Sequence, residues 1–365
     1  MSTNLKSTVN AKLFNEAITK AGKALSKSYV SVLDNVQVTF KEGRCAVTGT
    51  NLEHWLEVNI PANGDSFSFI TSDMKSLLKA CKHFDGDIAF EMQQDGKKVS
   101  LKSGSRIVTQ DCHGDEFPKS PGVGEVLESC KANALSLTER ISKIKYAVNV
   151  NSTQPIYTGI CFSGEKLIAV DGFRIALNRS PDLNVDGEFV LPLNNLKLLE
   201  VFGKEDLTIE FTKKYAVFAN SGTKLIIRRL AGEYMDFKRH IQPDADAKEI
   251  YVVNTAEYRK ELSFLNDLIG SRNYEYVRFE NGNLRVLTKR GNFSTKIKVS
   301  GNAEMVYGFE CRYMLDALNH LKGAKSITFR VYSPLSPIIM NDSGSDADLA
   351  LVLPARITDL EEKAA

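Results

Sequence analysis

Val36-Gln-Val-Thr-Phe40 turns through Lys41-Glu42-Gly43 into Cys45-Ala-Val47. The same pattern returns as Gly159-Ile-Cys-Phe162, Ser163-Gly164-Glu165 and Leu167-Ile-Ala-Val170, and again as Tyr276-Val-Arg-Phe279, Glu280-Asn281-Gly282 and Leu284-Arg-Val286. Each is a β-rich run entering a tight turn through phenylalanine, with glycine supplying the positive φ such a turn needs.

Three further landmarks accompany each hairpin, at offsets of about 117 to 124 residues. An amphipathic helix precedes it, with apolar residues at i, i+4 and i+7: Phe14, Ile18, Ala21, then Leu137, Ile141, Ile144, then Tyr258, Leu262, Leu265. Those positions share one face of a 3.6-residue period. A short strand then runs into a second helix within 67–84, 188–202 and 306–321, and a last hairpin turns at Ser103-Gly104, Ser221-Gly222 and Ser343-Gly344. Four landmarks in one order, three times, define a repeat of about 120 residues, near the commonest domain size. The expected class is α+β, three repeated domains each with antiparallel sheets and two helices. Turn-rich segments at Pro121-Gly122-Val123-Gly124 and Pro243-Asp244-Ala245-Asp246 set the boundaries at 1–122, 123–244 and 245–357, with 358–365 a frayed, disordered tail.

With 365 residues the chain exceeds one ordinary core, and 43% apolar with 25% charged residues is ordinary for a globular protein. No window has the roughly 18 apolar residues of a membrane span, and the start Met1-Ser2-Thr3-Asn4-Leu5-Lys6 lacks a signal-peptide core, so a cytoplasmic protein without membrane partners is expected. Six scattered cysteines without a CxxC pair argue against a zinc site or a disulfide framework.

The net charge is only +2, but it is unevenly spread. The helical windows 10–27, 72–84, 131–145, 194–204, 255–269 and 311–325 hold 18 Lys+Arg against 8 Asp+Glu, so the helices carry +10 and the remainder −8. Lysine and arginine favour solvated helix faces, but glutamate forms helices equally well and is scarce here. A surface of basic helices suits sequence-blind contact with phosphates. The fifth window, with Glu257, Glu261 and Asp267, is net negative and departs from that pattern.

Chemistry-bearing motifs are sparse. Asp111-Cys112-His113-Gly114-Asp115-Glu116 is the one dense cluster of reactive types, and it reads more readily as a polar loop than as a Cys-His nucleophile. Gly122-Val-Gly124 has Leu127 where a dinucleotide fingerprint needs its third glycine. No Walker A, HExxH or GxSxG sequence occurs. An enzyme, a cofactor and a metal are therefore not expected.

Specific stretches carry a family resemblance. Leu167-Ile-Ala-Val-Asp171-Gly172-Phe173-Arg174-Ile175-Ala-Leu is similar to a segment whose usual form is A-T-D-G-H-R-L-A in the bacterial DNA sliding clamps, the β subunits of DNA polymerase III. Thr48 to Glu53, Met314 to Gly323, Leu335-Ser336-Pro337 and Val352-Leu353-Pro354-Ala355-Arg356-Ile357 fit the same family, so the resemblance spans residues 5 to 357. It implies a head-to-tail homodimer in which each chain forms half of a closed ring around duplex DNA. The implied partners are the DNA polymerase catalytic subunit, the clamp loader and other proteins with clamp-binding motifs.

The family's partner-peptide groove maps onto Tyr157, Val170, Gly172, Phe173, Arg174, Ile175, Met235, Arg239, His240, Leu351, Leu353, Pro354, Ala355 and Arg356. Arginines at its rim would help anchor a Leu/Phe-bearing peptide. DNA-contacting positions map onto Lys23, Lys27 and Asn151, and the dimer interface onto Ile107, Leu268 and Ile269. Phe173 replaces the family's histidine, Met235 its linker proline, Pro155 and Ile156 a tyrosine pair, Asn151 a glutamine and Thr109 an interface leucine. Two other readings are a non-catalytic adaptor of the same fold that does not encircle DNA, and an enzyme built on Cys112 and His113.

Overall fold

The computed structural model describes residues 4–27, 29–269, 276–288 and 291–357, so the expected tail at 358–365 lies outside the described residues. One order of elements occurs three times. The first copy runs β1 (Leu5–Asn10), α1 (Ala11–Gly22), β2 (Gln37–Lys41), β3 (Arg44–Thr50), β4 (His54–Pro61), a short β5 (Asn63–Gly64), β6 (Phe67–Ile70), α2 (Met74–Cys81), β7 (Asp87–Met92), β8 (Lys98–Ser103) and β9 (Arg106–Asp111). The second runs β10 (Val126–Asn133), α3 (Ala134–Ile144), β11 (Gly159–Gly164), β12 (Lys166–Val170), β13 (Arg174–Arg179), β14 (Val185–Pro192), α4 (Leu193–Leu196), β15 (Asp206–Thr212), β16 (Tyr215–Ala219) and β17 (Thr223–Arg228). The third runs β18 (Glu249–Asn254), α5 (Thr255–Leu268), β19 (Tyr276–Glu280), β20 (Asn283–Thr288), β21 (Gly291–Lys296), a short β22 (Val299–Gly301), β23 (Tyr307–Glu310), α6 (Cys311–His320), β24 (Ser326–Val331), β25 (Ile338–Asp342) and β26 (Ser345–Val352). No helix among the described residues is long and apolar enough to cross a membrane.

Local chemistry explains the repetition. Asparagine caps the first helix of every copy: Asn10 Oδ1 accepts from the Leu13 amide at 3.2 Å, Asn133 from Ser136 at 3.2 Å and Asn254 from Glu257 at 2.9 Å. Each satisfies an amide that the first helical turn would otherwise leave without a partner. The hairpin turns use left-handed residues, with φ of 50° and 77° at Glu42 and Gly43 and 45° and 77° at Asn281 and Gly282. Two consecutive positive φ values make the turn that matches the right-handed twist of paired strands.

The helix expected at 194–204 is only partly α-helical: after α4, residues Lys197–Phe202 wind as a 3-10 helix. The burial pattern gives the reason. Asn194, Lys197, Glu200 and Gly203 are exposed while Asn195, Leu196, Leu198, Leu199, Val201 and Phe202 are buried. A polar residue at every third position matches three residues per turn better than 3.6.

The chain packs as two compact units, Met1–Thr138 with Asn194–Arg229, and Glu139–Leu193 with Leu230–Ala365. The first unit holds a five-stranded sheet, β5-β1-β7-β8-β9, and an eight-stranded sheet, β10-β15-β16-β17-β4-β3-β2-β6. The second holds a nine-stranded sheet, β14-β11-β12-β13-β26-β25-β24-β18-β22, and a four-stranded sheet, β21-β20-β19-β23. All paired strands are antiparallel. In both large sheets, strands of successive copies join: β17 pairs with β4 through Leu225↔Leu56, and β26 pairs with β13 through Ile175↔Leu351. The strands in the corresponding places at the ends of the series are β9 and β21, and each closes the edge of its sheet.

The first unit's main core gathers Phe14, Ile18, Leu77, Phe40 and Phe90, with Phe14 edge-on to Phe90 at 5.0 Å between ring centroids. The second unit stacks Tyr251 between Phe329 at 5.0 Å and Phe279 at 5.4 Å, against Tyr258, Leu262 and Met314. In the first unit β3 approaches α1 so closely that a Cβ at Gly49 would lie 2.3 Å from the Ala21 carbonyl oxygen. Gly49→Ala is therefore expected to destabilise the chain by about 1–3 kcal/mol, read as a lower urea midpoint with an unchanged slope.

Candidate partner-binding surface

In the second unit the chain turns between β12 and β13 at Asp171-Gly172-Phe173-Arg174. Gly172 sits at φ 90°, a value that favours glycine. The Asp171 Oδ1 accepts from the amides of Phe173 and Arg174, both at 2.9 Å, which fixes the turn. Next to it, the Leu353 amide donates to the Phe173 carbonyl at 2.9 Å, and the Ala355 amide donates to the Gly308 carbonyl at 2.8 Å. The end of the described chain is thus tied along both the turn and β23.

Beneath lies an apolar cluster that includes Val170, Ile175, Leu351, Tyr234, Phe237 and Tyr332, with Tyr157 and Met235 partly buried against it. Five of the expected groove positions therefore meet in one cluster: Tyr157, Val170, Ile175, Met235 and Leu351. Phe173 in the turn and Leu353 bonded to it are 54% and 37% exposed. Arg239, His240 and Arg356 are exposed, and Arg239 pairs through Nε with Asp236 at 2.8 Å. Pro354 and Ala355 are half-buried.

Arg174 is occupied differently from the rim role expected of it. Its Nε donates to Asp171 Oδ2 at 2.8 Å, Nη1 to Asp316 Oδ2 at 2.7 Å, and Nη2 to Asp171 Oδ2 at 2.6 Å and the Tyr146 carbonyl at 3.0 Å. The guanidinium lies 4.3 Å from the Tyr313 ring centroid and 5.3 Å from that of Tyr146. Burial opposes its charge, but Asp171 and Asp316 outweigh burial and hold its pKa above the ordinary value. Arg174 is a clamp inside the fold.

The first unit builds the same turn from other residues. Asn51 Oδ1 accepts from the amides of Glu53 at 2.9 Å and His54 at 3.0 Å, and Leu52 takes the positive φ of 74°. His54 stands where Arg174 does, its Nε2 2.9 Å from the Ala24 carbonyl. The segments after β9 and β17 also match: Phe117 and Phe237 are both buried, flanked by the i,i+3 ion pairs Glu116–Lys119 and Asp236–Arg239. Reading the sequence by the spacing of the other landmarks would have found this acid-Phe-x-base motif at an offset of 120 residues.

The other expected residues are more scattered. Lys23 is the exposed C-cap of α1 and Lys27 is exposed beyond it, both in the first unit. Asn151 is exposed in the second unit, its amide donating to Asn149 Oδ1 at 3.2 Å. Ile107 is 61% exposed on β9, Leu268 is 38% exposed at the end of α5, and Ile269 packs against the core. Phe264, one turn before Leu268 and 48% exposed, belongs to the same surface and escaped the sequence reading. Two of the three acidic residues that set α5 apart have local partners: Glu261 accepts from the Thr295 hydroxyl, and Glu257 from the Lys298 amide at 3.1 Å.

Cys112 and His113 do not form a nucleophilic pair. Burial, with Asp111 and Asp95 nearby, pushes the Cys112 thiol up to about 11, the opposite of what a reactive thiolate needs. His113 accepts from the Asp115 amide through Nδ1 at 3.2 Å and reaches Ser31 Oγ through Nε2 at 3.0 Å. Among the described residues no group of three His, Cys, Asp or Glu side chains is disposed to hold a metal.

The recurring antiparallel layout and the joined sheets define the fold of the DNA sliding clamps. The solved sliding clamp of Pseudomonas aeruginosa superposes with a TM-score of 0.84 at 17% identity, covering 97% of this chain and all of that one. The Bacillus subtilis sliding clamp superposes with a TM-score of 0.83 at 20% identity, covering 98% of this chain and all of that one. No protein-family model matches the chain. By sequence it resembles the beta sliding clamp of Staphylococcus epidermidis, 22% identical over 377 residues that cover 96% of this chain and 98% of that protein. It is also 22% identical to that of Staphylococcus aureus over 362 residues, covering 92% and 94%.

His54 and His320 are both buried. Burial lowers the pKa of each; the Ala24 carbonyl partly offsets this for His54, and Asp348 for His320. An unfolded imidazole titrates near 6.5, so stability is full above that value. Below it the unfolded chain takes up protons before the folded one, and stability falls until the folded pKa is passed. The urea midpoint should therefore drop between about pH 7.5 and pH 5.5, and substituting both histidines by glutamine should flatten that dependence.

Proposed function

We propose that this chain is a DNA sliding clamp: two copies associate head to tail into a ring that encircles duplex DNA and tethers polymerase and other motif-bearing partners. The observation that carries this is the pairing rule of the sheets. Twice within the chain, the outer strand of one copy's last hairpin completes the sheet of the copy before it, as β17 does for β4 and β26 for β13. Among the described residues, the same rule leaves β9 and β21 each without the counterpart strand. A second chain supplies both, and a heterologous contact whose rotation closes leaves no end free. Ile107, Leu268 and Phe264 then provide apolar surface at a seam that exposed strand edges alone would leave open to indiscriminate pairing.

The reading divides the chain into three domains, one per copy of the element order, with the second contributing strands to both compact units. Exposed lysines on the helices, among them Lys12, Lys23, Lys75 and Lys79, offer phosphate contacts without reading bases. Lys23, Lys27 and Asn151 are assigned to DNA. Weak contacts serve such a ring, because encirclement rather than affinity retains it and tight binding would stop it sliding. The groove at Phe173 and Leu353 takes Leu/Phe-bearing segments of the polymerase catalytic subunit, the clamp loader and other partners. No step of catalysis is assigned to the chain, and its place is the cytoplasm with the replicated DNA.

Two experiments test this. Loaded onto nicked circular duplex by a clamp loader, the protein should withstand high salt and be released when the circle is linearised; equal loss from both forms would exclude encirclement. Ile107→Asp should move the sedimenting species from dimer to monomer at micromolar concentration without lowering helix content, and a dimer of unchanged strength would remove β9 from the seam.

A further inference from the structure

We infer that Tyr313 and Asp316 on α6 are positioning residues for the partner groove, holding the Asp171–Arg174 turn so that the Phe173 ring forms a fixed aromatic lip. The inference rests on the groove reading given above. Phe173 is 54% exposed, so burial in the core does not orient it. Its ring stacks on Tyr313 at 5.6 Å with an interplanar angle of 30°. The same Tyr313 ring carries the Arg174 guanidinium 4.3 Å from its centroid, while Asp316 holds Nη1 at 2.7 Å. The start of α6 is itself pinned, because Glu310 accepts from the Tyr313 amide at 3.0 Å. Helix, clamp and lip are therefore joined by direct contacts.

The corresponding turn in the first unit separates the needs of folding from those of the lip. Asn51 to His54 makes the same two side-chain-to-amide hydrogen bonds with Glu53 in the place of Phe173. An aromatic pair is thus not required to fold this turn. What the pair adds in the second unit is a single placement of an exposed apolar ring beside Leu353, where the apolar side chain of a docking segment would lie. A lip already held in place spares the complex the ordering of a free side chain.

The test is binding of a fluorescein-labelled octapeptide carrying a Leu-Phe pair to the full chain, followed by anisotropy. Tyr313→Leu and Asp316→Asn should each weaken binding about fivefold to tenfold, as expected for loss of an aromatic or ionic contact of this size. Tyr313→Phe, which keeps the ring, should restore the wild-type value. Melting temperature and dimer mass are followed in parallel. Wild-type peptide affinity in folded Tyr313→Leu and Asp316→Asn would overturn the inference and leave the groove standing. Equal weakening by Tyr313→Phe would also overturn it, because the ring would then not be the active feature. A wild-type chain that binds no peptide would overturn the groove reading and the inference together.

Discussion

An antiparallel strand pair that bridges successive copies of the repeat is the contact on which this architecture depends. A four-stranded sheet in isolation has two edges with unsatisfied backbone groups. In this chain the edges of β4 and β13 are covered by β17 and β26, which creates sheets of eight and nine strands. Each junction costs no extra secondary structure, because the strand that covers an edge already belongs to its own hairpin. Large continuous sheets are the result, and compact units form across the sequence repeats rather than along them.

Repetition was legible in the sequence because its signals are local. Period-two strands, glycine in the turn and a helical stripe such as Phe14, Ile18 and Ala21 can each be read in a window shorter than 20 residues. The junctions were not legible, since β17 and β4 meet across more than 160 residues and no motif marks the pair. Arg174 shows the same limit at a single side chain. Next to Asp171-Gly172 it reads as a rim arginine, but Asp316, which holds its charge together with Asp171, lies 142 residues away. The shortened fourth helix could have been anticipated, because Asn194, Lys197, Glu200 and Gly203 already displayed a spacing of three.

The two junctions differ in the base that secures the turn. His54 and Arg174 occupy equivalent places, each reaching a backbone carbonyl at the end of the preceding helix region, Ala24 or Tyr146. Arginine keeps its charge and can bind two carboxylates at once, whereas a buried imidazole works best neutral. The acidic partners follow the base: Asp171 and Asp316 accompany Arg174, while Asn51 takes the place of Asp171 beside His54. Charge, counter-charge and aromatic cover were thus concentrated at the junction that also carries the candidate groove.

Because β9 and β21 hold the unmatched places at the two ends of the series of copies, the bonds proposed for them between molecules would obey a different law from the internal ladders. Residues tethered in one polypeptide meet at a local abundance that dilution cannot alter, while strands on separate molecules meet only as often as their number allows. For the proposed ring, the fraction of copies that find a partner would then depend on how much protein is made as well as on how well the edges fit.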